Sequence, residues 1–309
     1  MVSDLIYVGT RTFLGRKDLV VSFYTQACQH QCSFCGLKTQ SSKIPISSEN
    51  INEQVDAIWT QYQDQLEDFQ QISAGNEGSI LDTRRFPDTS MKYLIHRSTE
   101  LPNLQVLSLE TRPEYIQERK LAEIIEVCDA TVDFTIGFET QDDHLRNEVL
   151  RKNMSKKLLE RKIRLLGRFG ANLTSYVMLK PGPTMSEEDG IAEATATAEY
   201  LTELCSGQRV PLTIYLNPTY VAEDSDLAIE MKRVGYRPPK VQSVIQTILA
   251  MRNLHVPVYV GLWCENLAND DGVFTGREDY DKSFREALKL FNKTQDHSVL
   301  EDLPSTPKS

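Results

Sequence analysis

Apolar positions along the chain fall into two kinds of segment. Runs of β-branched and other apolar residues, each of strand length, are separated by stretches in which apolar residues recur with the 3.6-residue period of a helix. The predicted strands are residues 20–25, 69–74, 104–109, 132–137, 174–179, 212–217 and 257–262. The predicted helices are residues 48–66, 113–127, 155–169, 186–205 and 239–254. This alternation predicts parallel strands with helices packed outside them.

Six or seven strand–helix units in succession predict an α/β fold that closes into a full or partial TIM-like barrel. Ligands of such barrels bind at the C-terminal ends of the strands, so this edge is where we expect the functional site. We expect residues 1–293 to form one barrel domain with a C-terminal extension. Residues 294–309 lack periodicity, and we expect them to be a disordered tail.

Composition and charge narrow the range of partners. The chain has 309 residues, with 34 Lys and Arg against 44 Asp and Glu, and its net charge is −10. An excess of acid argues against strong free-standing affinity for nucleic-acid phosphates. No apolar run approaches the ~20 residues that span a bilayer, and residues 1–15 lack the pattern of a signal peptide. We therefore expect a cytoplasmic protein without a membrane partner.

Three of the six cysteines lie within eight residues of one another. Cys28, Cys32 and Cys35 have the spacing CxxxCxxC directly after the first predicted strand, which indicates metal ligands rather than a disulfide framework. A zinc site would take four tetrahedral ligands, and His30, between the thiols, is poorly placed to be the fourth. A 4Fe-4S cluster held by three thiolates leaves one iron open to a non-protein ligand. The spacing favours this cluster.

The other cysteines are scattered along the chain. Cys128 and Cys205 lie at predicted helix ends, where a cysteine is most often a small buried apolar residue. Cys264 follows the last predicted strand and could face the mouth of the barrel. Its role stays open at this point.

Small and polar residues follow several of the other predicted strands. After the second strand, residues 73–79 contain two glycines and other small side chains whose backbone can approach a ligand closely. Carboxylates suit ribose hydroxyls, and arginine suits a ligand carboxylate. The candidate side chains at the later strand ends are Glu110, Arg112, Glu139, Arg146, Lys180 and Asn217. The alternative is that these groups pair with one another or with neighbours in the barrel.

The cysteine motif, with the aromatic Phe34 immediately before its third cysteine and its place after the first strand of a βα series, resembles the radical S-adenosylmethionine (SAM) superfamily. The resemblance implies a 4Fe-4S cluster on Cys28, Cys32 and Cys35, whose open iron binds SAM. It further implies reductive cleavage of SAM to a 5′-deoxyadenosyl radical, which abstracts a hydrogen from the substrate. An external electron donor of flavodoxin or ferredoxin type is implied as a partner.

The resemblance also places SAM against the strand ends. The loop after the second strand corresponds to the one that holds the methionyl amino group in the superfamily. The residues implied in SAM binding are Phe34, Asn76, Glu77, Ser79, Glu110, Arg112, Glu139, Arg146, Lys180 and Asn217. No residue is assigned a catalytic role.

Further short strings point to one branch of the superfamily. Leu-Glu-Thr-Arg-Pro-Glu (109–114), Gly-Phe-Glu-Thr (137–140), Leu-Lys-Pro (179–181), Leu-Asn-Pro (216–218) and Gly-Tyr-Arg-Pro-Pro-Lys (235–240) resemble the radical SAM subunit of archaeosine synthase and the elongator-type enzymes, over about residues 20–290. Three hypotheses follow. The first is a radical SAM enzyme acting on an enclosed small-molecule biosynthetic substrate, and the alternative is a tRNA-modifying enzyme working with a partner subunit. The third is a noncatalytic iron–sulfur or zinc scaffold, which would not turn over SAM.

Overall fold

Eight strands form a single sheet in the computed structural model, which describes residues 7–262, 267–301 and 303. The strands are β1 (Tyr7–Phe13), β2 (Arg16–Phe23), β3 (Gln71–Asn76), β4 (Val106–Glu110), β5 (Thr131–Glu139), β6 (Asn172–Leu179), β7 (Leu212–Pro218) and β8 (Val258–Val260). Their order in the sheet is their order in the sequence. β1 runs antiparallel to β2, and each later neighbouring pair is parallel. The sheet curls into a half-barrel.

Helices cover the outside of the sheet. They are α1 (Ser48–Gln61), α2 (Asp88–Ser98), α3 (Glu118–Val127), α4 (Lys156–Phe169), α5 (Glu187–Gln208), α6 (Asp226–Val234), α7 (Val241–Met251), α8 (Lys282–Thr294) and α9 (Ser298–Glu301). Serine hydroxyls cap several helix N-termini: Ser47, Ser155 and Ser186 each accept a hydrogen bond from the amide three residues on. Helix α4 ends at Gly170, which takes the left-handed conformation with φ 67°.

The two faces of the sheet differ in polarity because successive side chains of a strand point to opposite sides. On β2, Leu19, Val21 and Phe23 are buried in the main core, which they share with residues of α1. On the other face, Ser108 of β4 donates to Asp133 Oδ2 of β5 (2.7 Å), and Thr174 of β6 donates to Asp133 Oδ1 (3.1 Å). The inner face is therefore hydrogen-bonded and polar, which suits a polar ligand better than the apolar layers that fill a closed barrel.

The fold confirms the prediction of a partial barrel. Each predicted strand overlaps an observed one, but the sequence pattern missed β1, which pairs with residues 16–22 of β2, and it gave no bounds for α2, α6 and α8. Within residues 294–309, for which we expected disorder, the structure has the short helix α9, where Leu300 is buried and Glu301 pairs with Arg252 (2.8 Å). Among the described residues, no helix is both long and apolar enough to cross a membrane. Cytoplasmic location stays a prediction.

Candidate metal and cofactor site

The cysteine motif lies in the loop that follows β2, at the C-terminal edge of the sheet. The amide of Cys28 donates to Glu77 Oε2 (3.1 Å) in the loop after β3, and the thiol of Cys28 accepts from the amide of His30 (3.5 Å). A Cβ on Gly78 would lie 2.8 Å from Cys28 Sγ. The β3 loop can therefore pass directly against this thiol only because residue 78 is glycine.

Burial raises the pKa of the Cys28 thiol, and it raises that of Cys35 to about 12. The Glu77 carboxylate and Cys32 raise the pKa of both thiols further. In the described ranges, no three His, Cys, Asp or Glu side chains stand in an arrangement that would hold a metal ion. Three half-buried thiols on one irregular loop nevertheless fit a cluster that the loop wraps around, because cluster iron is held by cysteine thiolates.

An arginine that the sequence analysis missed fastens the cysteine loop to the β3 loop. Arg85 donates to the carbonyl of Ala27 (2.8 Å), the residue before Cys28, and its guanidinium pairs with Asp82 (2.5 Å). Asp82 is 3% exposed and also pairs with Arg84. The sequence signal for this role of Arg85 is weak, because an Asp followed closely by two arginines is a common pattern on protein surfaces. The role becomes visible only in the fold, where the two loops lie together.

In and beside the β3 loop, side chains that were predicted to bind SAM form hydrogen bonds that fix the conformation of the loop. Asn76 donates to Thr25 Oγ1 (3.2 Å) and accepts from the amide of Gly78 (3.2 Å), while the Ser79 hydroxyl lies 2.5 Å from that of Thr111. Asn76, Glu77 and Ser79 are all buried. These contacts position the backbone of residues 76–79 beside the cysteine loop.

Lys152, which the sequence analysis also missed, joins several predicted residues. Its ammonium pairs with Glu139 Oε1 (2.6 Å) and lies 5.3 Å from the centre of the Phe34 ring. Its carbonyl accepts from Arg112 (2.9 Å), whose guanidinium also pairs with Glu114 (2.6 Å). Burial acts to lower the pKa of Lys152, but Glu139 and the Cys32 thiol outweigh it and the pKa is raised. Phe34, Arg112 and Glu139 are thus gathered around one cation next to the cysteines.

The backbone of β5 near Glu139 leaves space for its ion pair with Lys152. Glu139 has φ 72°, in the left-handed region, at an irregularity in the pairing of β5 with β6. A Cβ on Gly137 would collide with Glu139 Oε1 and with Lys152 Nζ. The glycine of the Gly-Phe-Glu-Thr string therefore leaves room for the Glu139–Lys152 pair.

Two predicted residues are occupied elsewhere. Arg146 is fully buried, donates to the carbonyls of Met154 and Thr140 (2.8 Å each), pairs with Asp143 and stacks on Phe138. Lys180 pairs with Glu187 (2.7 Å) at the start of α5 and donates to the carbonyl of residue 237 (3.0 Å). Both side chains hold loops together at the rim of the barrel.

Glu110 and Asn217 lie at the ends of β4 and β7. Glu110 Oε2 accepts from the hydroxyl of Tyr176 on β6 (3.1 Å), across the inside of the barrel. A Cβ on Gly261 would lie 2.7 Å from Asn217 Oδ1, so this glycine leaves the amide in place. Burial raises the pKa of Glu110, although the Tyr176 hydroxyl and the charge of Lys152 act to lower it.

We expect Glu110→Gln to stabilise the protein more at pH 7 than near pH 5. An acid whose pKa is raised on folding is destabilising once the pH exceeds its unfolded value, because the buried carboxylate loses hydration. Glutamine keeps an acceptor for Tyr176 and removes that charge. Urea unfolding at the two pH values measures the difference, with Glu126→Gln, at an exposed position, as the control. If the stability gained by Glu110→Gln did not grow from pH 5 to pH 7, the conclusion that folding raises the pKa of Glu110 would be wrong.

Comparison with known proteins identifies similar chains. An archaeosine synthase subunit beta from Thermococcus kodakarensis is 23% identical over 294 residues, which are 92% of this chain and 85% of that protein. An uncharacterized protein from Methanocaldococcus jannaschii is 26% identical over 307 residues, 97% of this chain and 81% of that one. No protein-family model matches the sequence.

Among solved structures, the archaeal Elp3 of Methanocaldococcus infernus superposes with a TM-score of 0.57 and 15% identity. The match covers 78% of this chain but 58% of the Elp3 chain, so this chain spans little more than half of that protein. SuiB of Streptococcus suis, in a structure with S-adenosylmethionine bound, superposes with a TM-score of 0.53 and 13% identity, over 89% of this chain and 55% of that one. The resemblance to the radical SAM superfamily, and to its archaeosine synthase and elongator-type branch, is confirmed.

Proposed function

We propose that this chain, which has the fold of the radical SAM enzymes, binds a 4Fe-4S cluster and SAM and starts a hydrogen abstraction from an enclosed biosynthetic substrate. One observation carries the proposal. The CxxxCxxC loop lies at the C-terminal edge of a half-barrel, and the buried carboxylate of Glu77 and the close approach of Gly78 hold the β3 loop against its first thiol. A chance cluster of cysteines has no reason to be built into the strand ends in this way.

The described residues divide into two roles. Cys28, Cys32 and Cys35 would hold the cluster, and the β3 loop, with Phe34, Arg112 and Glu139, would contact SAM. When bound, the cluster and SAM supply the 5′-deoxyadenosyl radical. The protein's own part is to orient the ligands and keep water away. Because the three guanidinium nitrogens of Arg146 and the ammonium of Lys180 each bind neighbouring loops, we propose positioning roles for these two residues.

The inside of the barrel is the place for the substrate. Below the strand ends lie the Glu110–Tyr176 pair and a ring cluster in which Tyr215 is 4.9 Å from both Tyr176 and Tyr259, measured between ring centres. Buried polar groups favour a substrate that can hydrogen-bond to them. We propose a polar small molecule, or a polar group of a larger one, as the substrate, and an external flavodoxin- or ferredoxin-type electron donor.

A second candidate function rests on the relatives. Two proteins named archaeosine synthase subunit beta match 92% and 77% of this chain. A tRNA substrate, presented with the help of a partner subunit, is therefore the alternative to a free metabolite. The acidic net charge of −10 does not decide between them, because a partner can supply RNA affinity.

Anaerobic reconstitution with iron and sulfide, followed by reduction in the presence of SAM, tests the proposal. We expect 5′-deoxyadenosine to form. If a tRNA transcript increases its rate of formation, the second candidate is favoured, and if tRNA has no effect, the free metabolite is favoured. An intact cluster that forms no deoxyadenosine would overturn the proposed SAM cleavage and support the noncatalytic scaffold.

A further inference from the structure

Helix α4 has a charge opposite to that of the rest of the chain. Over Lys156–Phe169 it has six Lys and Arg and one Glu, a charge of 6 − 1 = +5, whereas the other residues sum to −10 − 5 = −15. A helix so basic in an acidic protein is not a consequence of overall composition. Its apolar residues Leu159, Ile163 and Leu166 are buried and dock it on the barrel.

The exposed cations of α4 lie on one side of the helix. Lys157, Arg161, Arg164 and Arg168 follow one another at spacings of four, three and four residues, and all four are exposed. Residues three and four apart are neighbours on a helix surface, so these side chains form a continuous row, the basic stripe, about 16 Å long at ~1.5 Å per residue. The three arginines of the stripe also line one surface depression, together with Lys162 and Leu165.

The stripe is poorly neutralised by the protein itself. Among the described residues, its one ion pair joins Arg168 to Glu118 of α3 (2.7 Å). The single acid of α4, Glu160, accepts instead from the hydroxyl of Tyr200 (3.2 Å), and Lys162 donates to the carbonyl of residue 116. Four adjacent cations without a matching set of acids repel one another. A polyanionic ligand would remove this repulsion.

The stripe begins close to the candidate site. Its first residue, Lys157, lies five positions after Lys152, which pairs with Glu139 among the predicted SAM contacts. Ser155 caps the helix between them. At its other end, the backbone of Gln208 packs against Gly167, where any Cβ would collide with it, and this brings the exposed Arg209 to the same end of α4. The row of cations therefore leads outward from the mouth of the barrel.

We propose that the basic stripe of α4 binds the phosphate backbone of an RNA and presents part of that RNA to the mouth of the barrel. The proposal rests on the second candidate function and names the surface that it would use. RNA suits the stripe because phosphates repeat along a strand, and each is neutralised by a single cation. A basic row of this length contacts the backbone without reading bases, so the barrel would supply the selectivity.

The double variant Arg161→Glu/Arg164→Glu tests the proposal in the full chain with its cluster reconstituted. Binding of an in vitro transcribed tRNA is measured by fluorescence anisotropy at several salt concentrations. We expect at least a tenfold loss of affinity, and a fall in the slope of log K against log salt of about 1.4 to 1.8, because two phosphate contacts are lost at ~0.7 to 0.9 each.

A matched control is available on α8, which contacts β1 and β8 at the opposite side of the half-barrel. Lys289→Glu/Lys293→Glu changes the net charge by the same amount, from −10 to −14, at two exposed positions. We expect it to weaken RNA binding far less. Equal losses in the two double variants would overturn the proposal, because they would reflect overall charge. A wild-type chain that does not bind the transcript would also overturn it.

Two further readouts separate the possible outcomes. Poly-glutamate, a flexible acidic polypeptide, is tested as a competitor; if it binds the wild-type stripe and the transcript does not, the stripe is a protein-docking surface and the RNA proposal fails. Deoxyadenosine formation without RNA should be the same in the wild type and both double variants. If the wild type itself forms none, it is the proposed SAM chemistry that has failed, whatever the RNA result.

Discussion

A chain carrying Cys32→Ala is expected to retain little iron after anaerobic reconstitution and to form 5′-deoxyadenosine only at background level, with its fold intact. A cubane cluster has four irons, which four thiolates normally hold, so losing one of the three available here leaves too few ligands to retain it. Cys32 is half-buried on an irregular loop, outside the strands and helices. Iron content and visible absorbance report the cluster, the yield of deoxyadenosine reports SAM cleavage, and far-UV circular dichroism reports the fold.

Cys128→Ala is the matched control for that variant. Cys128 is also half-buried and lies at the end of α3, outside the cysteine loop. We expect it to retain the wild-type iron content and to form deoxyadenosine at the wild-type rate. If Cys32→Ala retained its cluster and cleaved SAM, the assignment of the three ligands would be wrong. Cys264, which could face the mouth, lies outside the described residues.

Lys152→Met is expected to lower the free energy of unfolding by about 3 to 5 kcal/mol, the usual cost of leaving one partner of a buried ion pair without the other. The Lys152 and Glu139 side chains are 10% and 4% exposed, so water does little to replace the lost partner. The remaining Glu139 carboxylate would also lie near that of Glu110, whose pKa it already raises. Denaturant unfolding measures the loss, and SAM affinity should fall with it.

A double-mutant cycle isolates the interaction from other effects of the substitution. We expect Glu139→Gln/Lys152→Met to cost clearly less than the sum of the two single variants, because it leaves no charge unpaired. The lysine pKa is raised, so the stability that it supplies is fully present below the unfolded value of 10.5 and is lost as the pH rises through the folded value. Lys156→Met, beside Tyr200 and Gln141, is the control. Additive single effects would show that the pair is not coupled.

The periodicity of the sequence was sufficient for the barrel, because an amphipathic helix and a buried parallel strand each leave a local pattern of apolar residues. It was insufficient for β1, whose alternation is weak: one side of that strand is half-exposed, and Gly9 and charged Arg11 interrupt it. The reason for a charged residue at position 11 is visible only in the folded protein. There it pairs with Asp18 on β2 (2.7 Å) and lies over the Phe13 ring (4.7 Å).

The cysteine motif and the residue types at the strand ends were likewise determined by the sequence. Which of those side chains would meet was decided by the tertiary structure. Lys152 carries no local signal and Arg85 only a weak one, yet they join the predicted residues to one another. Arg146 and Lys180, which their positions at strand ends favoured as SAM contacts, are occupied in holding loops. The total charge of −10 likewise hid the basic stripe, because composition averages over surfaces that folding separates. Local patterns specify elements, but contacts between residues far apart in the chain depend on how those elements pack.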